Sequence, residues 1–346
     1  MKIFFFILFA LLNCSFNSHA QTINTVKLDS FFNVLSGKNL AMGSVAISQN
    51  GKMLYQRTMG NALVKDDTSV PADIHTKYRI GSITKMFTAV MVMQLVEEKK
   101  LNLNQTIDKY FPGIPNAKLI SVKNLLYHRS GLSNYSENDG FNASLTKAKP
   151  HDEMLAIIAA GKVQFRPDSM ASYCNSNYLL LGYIVEQLRG RSYEDVVNER
   201  VISKLGLKET YIGHRVDAAK HESYAYSFQG NIWVQQPDMD VAIHAGAGSI
   251  VSTATDLNAF IRGLFTYKLG SKAMLDQMTT MQDGYGMGMF PFSIERESGF
   301  GHDGFIEAFA PMLRYFPKSG IAIAYCTNGQ VYPRQELMKE VLDYFQ

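Results

Sequence analysis

The apolar positions change their spacing along the chain. After Lys2 comes an unbroken apolar run over residues 3–12. A helical period follows over 25–36, carried by Val26, Leu28, Phe31, Phe32 and Leu35. Residues 43–49 and 52–59 then read as two strands joined by Asn50-Gly51. Asn-Gly between such runs signals a two-residue hairpin, because both turn positions need positive φ. From about residue 82 to 245 the pattern is mostly helical, broken by polar loops near 133–152 and 213–240. Within it, residues 86–96 are apolar all round, which marks a buried helix. Strands return from Tyr285 onward. Residues 305–316 and 321–326 flank Pro317-Lys318-Ser319-Gly320 as another hairpin, and a helix over roughly 334–345 closes the chain. The expected architecture is α+β (mixed α/β). One antiparallel sheet, built from about 21–85 and 245–346, is flanked by helices, and a mainly helical insertion occupies about 86–244.

Composition narrows the function classes. Of 346 residues, 46% are hydrophobic and 19% charged, with a formal net charge of +3. That balance excludes a disordered chain. It gives no electrostatic case for nucleic acid as a partner, and no basic stripe is present. Three cysteines exclude a disulfide scaffold and any four-cysteine zinc or iron–sulfur site. Cys174 and Cys326 are expected to be packed and unpaired. At the N-terminus, a charged start, a short apolar core and the exit Ser18-His19-Ala20 describe a secretory signal peptide over residues 1–20. The expected location is secreted or periplasmic. The apolar run is shorter than the ~20 residues a membrane span needs, so no transmembrane segment is expected. Leu11-Leu12-Asn13-Cys14 resembles a bacterial lipobox, which makes a lipid anchor at Cys14 the alternative processing. Asn13 stands where a small residue belongs, and the signal peptide is the preferred reading.

Three short motifs carry candidate chemistry. In Ser82-Ile83-Thr84-Lys85, at the start of the buried helix, Ser82 and Lys85 share one face of the first turn. Burial lowers a lysine's pKa and makes it a proton acceptor for a neighbouring serine. The plain alternative is a helix cap with a snorkelling lysine. A second S-x-x-K, Ser144-Leu145-Thr146-Lys147, lies in a polar loop with Pro150 behind it and has no such context. The second motif is Tyr173-Cys174-Asn175, ahead of an apolar helix over 178–188. A tyrosine beside a lysine can act as a general base, and the asparagine can bind a substrate amide. An ordinary loop tyrosine is the other reading. The third is His302-Asp303-Gly304, followed by Phe305. Glycines beside a strand invite a close backbone approach, and a peptide-like substrate would add along that edge. The Phe305 N–H, with that of Ser82, would form an oxyanion hole. A strand-end histidine without a catalytic role is the alternative for His302. His244-Ala245-Gly246 is set aside because a helical stretch follows it, not a strand.

Taken in order, these motifs resemble the serine β-lactamase and penicillin-binding-protein superfamily. The nearest likeness is the class C β-lactamase-related branch, with DD-carboxypeptidases, D-aminopeptidases and esterases. Leu125-Leu126-Tyr127-His128-Arg129-Ser130-Gly131-Leu132 and Gly248-Ser249-Ile250-Val251-Ser252-Thr253-Ala254 are similar to further segments of that branch. The resemblance spans about residues 40–330 and implies a β-lactamase/transpeptidase-like fold over 21–346. It implies Ser82 as acylated nucleophile, and Lys85 and Tyr173 as proton carriers. It places Asn175 on the substrate amide, His302 near the substrate carboxylate or leaving group, and Gly304 where the strand must stay approachable. His302 stands where class C β-lactamases have lysine, and Asp303 where they have threonine. Both departures weigh against efficient β-lactam hydrolysis, unless strand alternation turns Asp303 from the cleft.

The remaining histidines, His75, His128, His151, His214 and His221, show no paired-ligand spacing and read as surface or structural. No metal and no organic cofactor is expected. The expected function is an exported serine hydrolase acting through an acyl-enzyme on amides or esters, with cell-wall peptides, β-lactams or esters as substrates. A carboxylesterase on small esters and a low-turnover penicillin- or peptidoglycan-binding protein are the alternatives.

Overall fold

The computed structural model describes residues 23–65, 68–137, 149–294 and 297–345. The signal-peptide segment 1–20, the Cys14 site and the second S-x-x-K lie outside the described residues. Ten α-helices are described, besides short 3-10 turns and one π-helical segment: α1 (Thr25–Gly37), α2 (Thr84–Glu97), α3 (Val122–Leu126), α4 (His151–Ala160), α5 (Asn175–Arg189), α6 (Tyr193–Val197), α7 (Ser203–Leu205), α8 (Ala254–Phe265), α9 (Lys272–Thr279) and α10 (Arg334–Asp343). The strands from the N-terminal half are β1 (Ala41–Gln49), β2 (Lys52–Met59), β3 (Asn61–Lys65), β4 (Thr68–Pro71) and β5 (Tyr78–Arg79). Those that follow are β6 (Tyr211–Ile212), β7 (Tyr226–Gln229), β8 (Ile232–Gln235), β9 (Ile250–Ser252), β10 (Phe290–Ile294), β11 (Glu297–Asp303), β12 (Met312–Phe316) and β13 (Ile321–Gln330).

The main sheet has the order β10-β11-β12-β13-β1-β2, and every pairing is antiparallel. The two ends of the chain therefore meet at the β13–β1 seam. The β1–β2 turn is Asn50-Gly51, with φ of 47° and 88°, as the hairpin signal requires. β1 is buried on both faces because both faces are covered. On one side α1 and α10 pack Leu28, Phe32, Leu337 and Val341 against Val45, Ile47, Ile323 and Tyr325. On the other side lies a larger core that runs from Ala46, Leu313 and Ala324 through α8 into α2 and α5.

Two contacts fix α8 and α2 on the sheet. Asn258 on α8 is fully buried; its amide donates to the Ala46 and Ala322 carbonyls at 3.1 and 2.9 Å, and its oxygen accepts from Ser48 at 2.6 Å. Phe260 stacks on Phe87 of α2 with ring centroids 3.7 Å apart. α2 itself is buried continuously from Thr84 to Leu95, which the all-round apolar pattern requires. Its polar end is Glu97-Glu98-Lys99-Lys100. Glu98 pairs with Arg189 at 3.6 Å and with Arg200, which holds its carboxyl down at about 2.

Some boundaries differ from the expected ones. Residues 213–240 contain the β7–β8 hairpin rather than a loop alone, turning at Gly230-Asn231 with φ of 54° and 76°. The last hairpin begins at Met312, not near Phe305, because residues 304–311 form a separate turn. Cys174 and Cys326 are free and buried. No described helix is long and apolar enough to cross a membrane.

Candidate active site

Ser82 sits in a tight turn, Gly81–Ile83, between β5 and α2. Gly81 has φ +49°, which a glycine adopts freely, and its notional Cβ would meet the Phe305 nitrogen at 3.1 Å. The turn thus lies against the segment after β11. Gly304 is equally constrained: a Cβ there would lie 2.2 Å from the Ile80 carbonyl oxygen. This is the close backbone approach its neighbours in sequence suggested. β10 pairs with β11 only as far as Gly301, so the edge at His302 and Asp303 is left open. It borders a cavity of about 600 Å³ that also holds Ser82, Tyr173, Asn175, Phe290, Phe292, Phe305 and Arg334.

The candidate catalytic groups meet in this cavity. Lys85 is fully buried, and its Nζ lies 2.9 Å from Ser82 Oγ, 2.7 Å from Asn175 Oδ1 and 2.8 Å from the Ala247 carbonyl. Tyr173 Oη donates to Ser82 Oγ at 2.6 Å. Burial holds the Lys85 pKa well below the ordinary lysine value and raises that of Tyr173. A neutral amine has two protons and one lone pair. When deprotonated, Lys85 would give its two protons to Asn175 Oδ1 and the Ala247 oxygen, which only accept, and turn its lone pair toward Ser82 Oγ. In that form Ser82 stands between a proton acceptor, Lys85, and a proton donor, Tyr173, which is the arrangement an activated nucleophile needs.

His302 is also buried, and burial followed by the nearby Lys85 lowers its pKa to about 3. Its Nδ1 lies 2.6 Å from the Asp303 carbonyl, so Nδ1 carries the hydrogen and Nε2 is a bare acceptor. A neutral His302 brings no positive charge, unlike the lysine it replaces. The Asp303 carboxylate is committed to the buried Arg314 at 2.5 Å, and the Arg314 guanidinium lies over Phe292. Asp303 thus borders the cavity with its charge already matched. Arg334 donates to the Gly304 carbonyl at 3.2 Å and has no acidic partner among the described residues.

Sequence reasoning missed the second layer. Asn134 Oδ1 accepts the Asn175 N–H at 3.1 Å, and Ser136 Oγ accepts from Asn175 Nδ2 at 2.8 Å. His128, expected to be surface or structural, is buried under Tyr173 with ring centroids 4.6 Å apart. Its Nδ1 accepts the Cys174 N–H at 3.1 Å, which anchors the residue between Tyr173 and Asn175. His244 bonds Tyr135 Oη at 2.8 Å and is lowered to about 4 by burial and Lys85. It is not on the main sheet, but contrary to expectation its His-Ala-Gly is followed first by a short strand, β9, and only then by α8. No cluster of three His, Cys, Asp or Glu that could hold a metal occurs among the described residues.

The β-lactamase family model matches residues 31–343. The chain belongs to the β-lactamase family. By that membership it is a serine hydrolase. Among curated relatives, a teichoic acid D-alanine hydrolase of Staphylococcus aureus is 29% identical over 236 residues, which is 67% of this chain and 56% of that one. The chain thus spans about half the length of that relative. Two solved structures share the fold. The D-amino acid amidase of Ochrobactrum anthropi SV3 matches with TM-score 0.82 and 22% identity, covering 92% of this chain and 98% of that one. A penicillin-binding protein of Bacillus halodurans matches with TM-score 0.79 and 20% identity, covering 90% and 98%. The β-lactamase/transpeptidase-like fold and the superfamily resemblance are thereby borne out.

Proposed function

We propose that this family member is an exported acyl-enzyme hydrolase of amide or ester bonds made by D-amino acids, of DD-peptidase or D-aminoacyl type. The observation that carries the reading is the convergence of Lys85 Nζ, at 2.9 Å, and Tyr173 Oη, at 2.6 Å, on Ser82 Oγ. Ser82 Oγ attacks the carbonyl carbon and its proton passes to Lys85 Nζ. The oxyanion is held by the N–H groups of Ser82 and Phe305; losing one such donor typically costs about 10²–10³ in turnover. The leaving nitrogen or oxygen takes a proton from Tyr173 Oη, and Lys85 returns one to Tyr173 through the site. Water then repeats the sequence on the acyl-enzyme and restores Ser82. In this reading Asn175 binds the substrate amide with its second Nδ2 hydrogen, the open edge at His302 takes a peptide-like backbone, and Gly304 permits its close approach. Since His302 is neutral, Arg334 is the cation available to a substrate carboxylate among the described residues lining the cavity.

Support for a D-amino acid substrate comes from the relatives' names, and export is supported by the pattern of residues 1–20. The test is hydrolysis of D- and L-alanine p-nitroanilide beside a simple p-nitrophenyl ester. A D over L preference of at least about tenfold is expected, which corresponds to roughly 1.4 kcal/mol of differential transition-state binding. Equal rates for the two enantiomers, or turnover of the ester alone, would replace this reading with a carboxylesterase.

A further inference from the structure

Arg79 lies three residues before Ser82 and is one of the largest fully buried side chains. One of its nitrogens meets Glu307 at 2.5 Å; another meets Asp238 at 2.5 Å and donates to the His214 carbonyl at 2.9 Å. Glu307 also accepts the Met239 N–H at 2.8 Å. Its side chain is 3% exposed. A buried ion pair is weak evidence for stability, since desolvation offsets most of the attraction. Its geometry points to another use.

Glu307 is at the tip of the turn that carries Phe305. Ile306 and Phe309 exchange N–H···O bonds of 3.1 and 2.9 Å, leaving Glu307-Ala308 as a two-residue turn. Glu307 has φ +55°, at a turn position that favours glycine. A glutamate held there is over-determined by its surroundings, and the buried guanidinium supplies that constraint. The base of the same turn is closed by Gly304 N–H to the Pro311 carbonyl at 2.8 Å. Between base and tip, Phe305 N–H has no acceptor among the described residues. Arg79 therefore ties the Phe305 turn to β5, which ends three residues before the nucleophile, and through Asp238 and Met239 to the segment that leads to Ala247.

We propose that the Arg79–Glu307 pair is a positioning device that sets the Phe305 N–H against Ser82, so that both amides converge on one oxyanion. This rests on the acyl-enzyme reading above. Misplacing a catalytic group by about 1 Å costs about 10²-fold in rate. The effect belongs to the transition state, because the ground-state substrate gains less from that amide.

The test compares wild type with Glu307→Gln, each assayed below the melting temperature of the variant. Glu307→Gln is expected to lower kcat by about 10- to 100-fold with KM nearly unchanged, and to weaken inhibition by an alkyl boronic acid by the same factor. The boronate forms a tetrahedral adduct with a serine and reads the oxyanion site directly. Glu307→Asp, which keeps the charge, recovers part of the loss. Arg79→Lys carries the same expectation through a cation that cannot span both carboxylates, and replaces Glu307→Gln if that variant does not fold. A folded variant that loses melting temperature but keeps wild-type kcat and boronate affinity overturns the positioning role. Wild type that neither forms a Ser82 adduct nor binds the boronate would instead overturn the acyl-enzyme reading beneath it.

Discussion

Burial lowers the pKa of Lys85 in the fold well below the ordinary lysine value near 10.5. Between the folded and the unfolded pKa the unfolded state binds more protons, so the Lys85 contribution to stability rises with pH across that window and levels off above 10.5. Lys85→Met removes that linkage. The melting temperature of wild type relative to Lys85→Met is thus expected to shift in favour of wild type as pH rises from 6 to 9. A constant difference would mean that Lys85 keeps its charge in the fold. Deprotonation of the same amine is expected to set the acid limb of kcat/KM, with a midpoint well below pH 10.5. Activity of Lys85→Met should drop by at least about 10²-fold, the lower range for loss of a general base. At this scale the sequence was highly legible for Ser82, Lys85, Tyr173 and Asn175, because each belongs to a motif with fixed spacing. His128, Asn134 and Ser136 were not, since they act through an anchored amide and through Asn175, and such contacts depend on how distant loops meet.

α2 carries Lys85 and has to be held against the sheet to hold the lysine. The face that does so is Phe87 against Phe260 of α8, both fully buried. Phe260→Ala should cost about 3–5 kcal/mol of stability, the range for a large buried aromatic truncated to alanine. Urea unfolding measures it; a loss under about 1 kcal/mol would mean that α2 is held elsewhere. At this scale the hairpin at Asn50-Gly51 and the buried α2 could be read from the residues alone, because turn chemistry and all-round apolarity are local signals. The β7–β8 hairpin was equally local, with Gly230-Asn231 between an alternating run, Tyr226–Gln229, and the apolar run Ile232–Val234, but it lay inside a stretch read as polar loop. The late start of β12 was not local. Residues 305–311 are as apolar as a strand, and only the Glu307 contact with Arg79 shows why they turn instead.

Across the whole molecule, the sheet is closed by strands from both ends of the chain, and the site lies where β11, the Ser82 turn and the start of α5 converge. That placement explains how three short motifs, far apart in sequence, act as one site. Acylation of Ser82 through this convergence is tested most directly by intact-mass spectrometry of the protein mixed with a penicillin and, separately, with a D-Ala-D-Ala peptide. A mass increase equal to the acyl group is expected, mapped to the peptide containing Ser82 and absent from Ser82→Ala. A persistent penicillin adduct would mark slow deacylation, and a transient one with penicillin consumed would mark β-lactam turnover. Hydrolysis that continues unchanged in Ser82→Ala, or an adduct on any other residue, would contradict it.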